Sequence, residues 1–141
     1  MYERILVPLD GSHDAEAALP MARSLASRLH AELILLRVNE PIPNLPAGRY
    51  PDGVVTTARE YLARVAEPMI LRRLKVRTML EYGDPSEVIA RLAGELGADL
   101  VVIAAGDGFR HRIPRGEAAR ILRHCPVPLL IVPAEAAAPS E

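Results

Sequence analysis

The sequence predicts a single-domain α/β fold: an open sheet of five parallel strands with helices on both faces. Three observations carry that expectation. Five short aliphatic runs alternate with stretches of helical periodicity, and the connections are long enough to hold crossover helices, which makes the strands parallel. Two of the runs, Arg4 to Leu9 and Leu100 to Ala105, are apolar almost throughout, as strands buried on both faces are. The chain has 141 residues, 50% of them hydrophobic, enough for one proper core and too few for two.

In chain order, the first strand ends at Asp10-Gly11-Ser12, where Gly11 permits an unusual backbone angle and Ser12 suits a helix N-cap. The first helix is expected to reach about Leu29, with Ala15, Ala18, Leu19, Ala22, Leu25, Ala26 and Leu29 at helical spacing. Pro20 inside that pattern predicts a kink or local loosening. Glu32 to Val38 reads as the second strand, and Asn39 to Asp52, with four prolines, as a loop long enough for a lid, read in preference as a mobile excursion. A second helix is expected over about Val54 to Arg72, with a bent or separate last turn at Pro68. Lys75 to Tyr82 alternates polar and apolar residues, as an exposed edge strand does. Asp84 then caps a third helix with Pro85 at its first position, a buried stripe of Val88, Ile89, Leu92, Ala93 and Leu96, and Gly97 beyond its end. After the fourth strand come Gly106-Asp107-Gly108, a loop carrying Arg110, His111, Arg112 and Arg115, and Gly116. A short helical pattern (Ala118, Ala119, Ile121, Leu122), stopped by Pro126, leads to the last strand, Pro128 to Val132. The domain is expected to span 1–133, with 134–141 a disordered tail.

Composition removes several function classes. A net charge of -1 gives no reason to expect nucleic acid or an anionic membrane as partner. No apolar run approaches the ~20 residues that span a bilayer, and with Met1-Tyr2-Glu3-Arg4 leading straight into a strand no signal peptide is expected. The lone Cys125 excludes an internal disulfide and fits a reducing cytoplasm; beside Pro126 it reads as a small buried hydrophobe. His13, His30, His111 and His124 lack metal-ligand spacing. No Gly-x-x-x-x-Gly-Lys-Ser/Thr or Gly-x-Gly-x-x-Gly loop occurs, and no nucleophile, base and orienting group assemble into a catalytic set. The expectation is a cytoplasmic binding module, not an enzyme.

In such a sheet, with strand order 3-2-1-4-5, ligands bind beyond the carboxyl ends of strands one and four. That crevice is expected between Pro8, Leu9 and Asp10 on one side and the stretch from Ile103 to Gly108 on the other. The helix start after Gly116 turns backbone N–H groups and a positive dipole end outward at Glu117 and Ala118, which suits phosphate.

Four segments, Ile5 to Ser12, Glu81 to Pro85, Ala98 to Val102 and Arg120 to Val132, together resemble the universal stress protein family over nearly the full length. The resemblance implies a Rossmann-like, adenine nucleotide alpha hydrolase-like fold, and a homodimer formed by pairing the last strands, here Pro128 to Val132. It also implies that ATP or another adenine nucleotide is the ligand to consider. On that basis Asp10 matches a position near the ribose and adenine, Pro8 and Leu9 match backbone positions near the base, and Val38 matches an apolar wall. Each has a plainer reading too: Asp10 as a turn and cap residue, Val38 as core.

The family's phosphate signature, G-x2-G-x9-G-(S/T), is damaged. Aligned through Asp99 to Val102, its first two glycines fall on Ala104 and Asp107; aligned back from Gly116 they fall on Ile103 and Gly106. The loop is one residue short, with Gly106 or Gly108 left to stand in, and Glu117 replaces the hydroxyl residue. A carboxylate about 5 Å from a phosphate charge, at an effective dielectric near 20, is repelled by roughly 3 kcal/mol, which is roughly a hundredfold in affinity. Against this stand Arg110, Arg112 and Arg115, either a solvated basic loop or forked donors to a triphosphate. Two readings follow: a dimeric stress-response module with a degenerate phosphate site, and a working nucleotide binder whose ligand orders the Gly106–Arg115 loop.

Overall fold

The structure is a computed structural model, and it describes residues 2–46, 49–105 and 117–134, apart from the side chain of Glu117. The strands are β1 (Arg4–Leu9), β2 (Glu32–Asn39), β3 (Lys75–Tyr82), β4 (Leu100–Ala105) and β5 (Leu129–Pro133). The helices are α1 (Leu19–Leu29), α2 (Val54–Leu71), α3 (Pro85–Glu95) and α4 (Glu117–His124), with a 3₁₀ turn at Ala15–Ala18. All strand pairs are parallel, in the order β3-β2-β1-β4-β5. The Gly106–Gly116 loop and the 135–141 tail lie outside the described residues.

Alternation along the central strands sorts the core into two layers. Ile5, Val7, Leu33 and Leu35 pack against Ala22, Ala26, Leu62, Ala66 and Met69 on the α1–α2 side. Leu6, Ile34, Leu36 and Val101 pack against Val88, Ile89, Leu92, Ala93 and Ile121 on the α3–α4 side. Burying each Val, Leu, Ile or Met side chain among these stabilises the fold by about 1.5–3 kcal/mol. The start of β1 is fixed by Asp99, whose Oδ2 accepts the N–H groups of Glu3 (2.6 Å) and Arg4 (3.1 Å). Those bonds, Arg4's the larger, hold its carboxyl below the usual 3.8.

The two helix prolines have different outcomes. Pro20 lies in the first turn of α1, where its missing N–H leaves no intrahelical acceptor empty. The Ala15–Ala18 turn takes up the chain before it, so the residue marks a helix start and not a kink. Around Pro68 α2 is continuous to Leu71. Asp84 caps α3 as expected, accepting from the Glu87 N–H at 3.1 Å. On α4, Ile121 is fully buried but Leu122 is 58% exposed. Cys125 is half-buried against the α3 layer. Among the described residues no helix is long and apolar enough to cross a membrane.

Candidate functional site

β1 pairs with β2 on one side and β4 on the other, so successive connections leave β1 and β4 toward opposite faces. The crevice that this topology opens at the carboxyl ends of the strands is present. It is a cleft of about 280 Å³ that gathers Pro8, Leu9, Asp10, Val38, Ile103 and Ala104. The size is close to the lower end of small-molecule sites, about 300 Å³.

The turn beyond β1 is built around one glycine. Gly11 has φ +89°, and a Cβ there would lie 2.6 Å from Nη1 of Arg37. Asp10 Oδ1 accepts the Ser12 N–H at 2.8 Å, and Ser12 Oγ accepts the Ala15 N–H at 3.1 Å. Asp10 is therefore both a turn residue and a cleft residue. Behind the turn, Arg37 lies 5.3 Å from the ring centre of Tyr61, whose hydroxyl donates to Glu16 Oε2 at 2.8 Å. Burial foremost, and then the Glu16 carboxylate, push the Tyr61 phenol well above its usual range.

Seven further lining residues escaped the sequence reading: Ser12, Asp14, Ala15, Leu36, Glu40, Pro85 and Ile89. Leu36 shares Val38's face of β2 by strand alternation, a signal the sequence did contain, while Glu40 lies one residue past the end of β2. Pro85 and Ile89 arrive through α3 packing, which leaves no local trace. Leu36, Val38, Ile89 and Ile103 make apolar walls, while Asp10, Asp14 and Glu40 bring carboxylates. Such a cleft suits a flat group with apolar faces and donors at its edge, such as amino nitrogens or sugar hydroxyls. The far end of β2 is covered by Tyr50, whose hydroxyl donates to the Asn39 carbonyl at 3.0 Å and whose ring centre lies 5.1 Å from that of Tyr82.

Of the residues that the sequence suggests for a phosphate, only the rim is described. Gly106, Gly108, Arg110, Arg115 and Gly116 lie outside the described residues; Glu117 is the first residue of α4. Ala118 is half-buried and packs on the α3-side core. Arg120 of α4 reaches to 3.8 Å from Asp84 Oδ1, tying α4 to the start of α3. The Ser86 hydroxyl first, and the Glu87 N–H next, hold the Asp84 carboxyl low. Among the described residues no group of three or more His, Cys, Asp or Glu is placed to hold a metal ion.

Comparison with known proteins agrees with this geometry. The model of the universal stress protein family matches residues 1–133. A solved member of that family from Burkholderia pseudomallei is 30% identical, with a TM-score of 0.70 over 94% of this chain and 96% of its own. A universal stress protein solved in complex with cAMP is 21% identical, with a TM-score of 0.72 over 94% of this chain and 98% of its own. One from Archaeoglobus fulgidus, solved in complex with dAMP, is also 21% identical, with a TM-score of 0.72 over 93% and 98%. At 21% identity the last two show the fold alone.

Proposed function

We propose that this chain, which belongs to the universal stress protein family, is a cytoplasmic stress-response module that acts by binding and not by catalysis. In this reading its cleft takes the nucleoside part of an adenine nucleotide, while the triphosphate end of the site is degenerate. The observation that carries it is the cleft itself: Pro8, Leu9, Asp10, Val38, Ile103 and Ala104, far apart in sequence, line one nucleoside-sized space at the switch point. The relatives solved with cAMP and dAMP carry adenine monophosphates, which supports the same ligand class here. Asp10 takes ribose hydroxyls and Val38 faces the base. Glu117 stands where the family's hydroxyl residue would meet the outer phosphates, so each added phosphate charge works against binding.

The active unit is a homodimer of the 1–133 domain, paired along β5. Among the described residues that strand has β4 as its single sheet neighbour, and Leu129, Leu130 and Ile131 are half-buried. An apolar open edge of this kind invites a partner strand, and the dimer surface is then free to engage other proteins.

Calorimetric titration of AMP, cAMP and ATP tests the reading. AMP and cAMP bind, ATP binds more weakly, and Glu117→Ser raises the ATP affinity by up to roughly a hundredfold. Absence of AMP and cAMP binding overturns the cleft assignment. Wild-type ATP binding as tight as AMP binding, indifferent to Glu117→Ser, instead establishes the working triphosphate site with its Gly106–Arg115 loop.

A further inference from the structure

We infer a second ligand site, for a small phosphomonoester, in the groove between α1 and the turn from α2 into β3. The groove has a volume of about 290 Å³ and is lined by Pro20, Arg23, Ser24 and Ser27 of α1 and by Arg72 and Leu74 of the turn. The α1 residues sit three and four apart, so one helix face presents them together. Arg23 is half-buried; Ser24, Ser27 and Arg72 are exposed. Every polar side chain in the lining is a hydrogen-bond donor, and no carboxylate is among them.

The charge asymmetry extends beyond the lining. Residues 20–28 and 68–80 hold Arg23, Arg28, Arg72, Arg73, Lys75 and Arg77 and neither Asp nor Glu, in a chain with 18 acidic and 17 basic residues. Arg77 is taken by Glu32 at 3.3 Å. Neither Arg23 nor Arg72 is in an ion pair with another described residue.

Arginine at a helix end ordinarily has a simple role, offsetting the negative end of the dipole. Here the backbone already closes that end. The Arg72 N–H donates to the carbonyls of Pro68 (3.3 Å) and Met69 (3.1 Å), the Arg73 N–H to Ile70 (2.9 Å) and the Leu74 N–H to Met69 (3.1 Å). The Arg72 guanidinium is thus not required as a cap. Two guanidiniums facing one groove repel each other until an anion joins them, and phosphate oxygens match their planar forks. The two hydroxyls add donors, and Pro20 and Leu74 supply apolar surface for a short carbon skeleton. The groove shares no residue with the cleft, whose helical wall is α3, so it stands apart from the nucleotide reading.

Glycerol 3-phosphate titrated into the ¹⁵N-labelled full chain at constant ionic strength tests the site, with glycerol as the phosphate-free control. The expected result is a saturating shift of the Ser24, Ser27 and Arg72 amides that glycerol does not produce. Its affinity falls roughly tenfold or more in Arg23→Gln and in Arg72→Gln and is unchanged in Arg59→Gln on the outer face of α2. Shifts that fail to saturate, that glycerol reproduces, or that survive both substitutions overturn the inference.

Discussion

Replacing Gly11 with alanine probes the turn on which the cleft depends. The residue has φ +89°, and the added Cβ would meet Arg37 Nη1 at 2.6 Å and Cζ at 3.1 Å. A side chain in the left-handed region costs about 1–2 kcal/mol. The steric part is cheaper, because the atoms met are the far end of a flexible arginine. Moving Arg37 off the Tyr61 ring, where it now lies at 5.3 Å, forfeits about 0.5–1 kcal/mol. Together these give a destabilisation of about 2 kcal/mol, or about 6 °C in Tm for a chain of this length. Urea and thermal unfolding of Gly11→Ala, alone and in an Arg37→Ala background, separate the two parts. Once Arg37 is truncated, the backbone part of about 1–2 kcal/mol is expected to persist and the remainder to vanish. AMP affinity falls with the substitution, since Asp10 is held by the same turn through the Ser12 N–H. A neutral Gly11→Ala refutes the strained-turn reasoning. An equal cost in both backgrounds refutes the arginine contact.

Other outcomes follow from individual groups. Pro68→Ala restores a backbone donor on the exposed side of α2; an interior proline costs about 3 kcal/mol and its release of unfolded-chain entropy returns about 1 kcal/mol. The urea midpoint therefore rises, and a lower one contradicts the continuous helix. Asp99 has a folded pKa depressed below 3.8, so its stabilisation is complete above that value and is lost as pH falls through the folded value. Acid unfolding of Asp99→Ala should show a flatter dependence in that window, and an unchanged slope removes the β1 lock. Tyr61 has a raised pKa, so the stability it lends holds below 10.0 and declines as pH rises past it. Burial also raises the Tyr50 phenol, so ultraviolet titration should show Tyr61 as the last of the four tyrosines to ionise, and that last step should disappear in Tyr61→Phe.

The strands, their order and the residues that line the cleft from β1, β2 and β4 were legible because each rests on local pattern or on topology that admits few alternatives. Runs such as Ile5–Leu9 and Leu100–Ala105 have no polar face to hide, and right-handed crossovers do the rest. Pro20 falls at the step from the 3₁₀ turn into α1, a local loosening of the kind its place in the pattern predicts, while the 3₁₀ form itself has no local signal because the periodicity continues unbroken through Ala15–Ala18. Val38 was legible as a wall; Glu40, two residues on, lies past the end of β2 in the connection that the sequence predicts, and its place in the cleft has no local signal. Pro85 and Ile89 enter the cleft through packing of α3 on the sheet, which one sequence does not encode locally. For the proposed phosphate end the sequence supplies more than the described residues do: Glu117 and the displaced glycines are features of the chain itself.

The most direct test of the binding cleft is a crystal structure of this protein grown with AMP. The expected result is the adenine ring against Val38 and the ribose hydroxyls on Asp10, between the ends of β1 and β4. Density for AMP that touches neither residue, in crystals where the cleft is open to solvent, contradicts it.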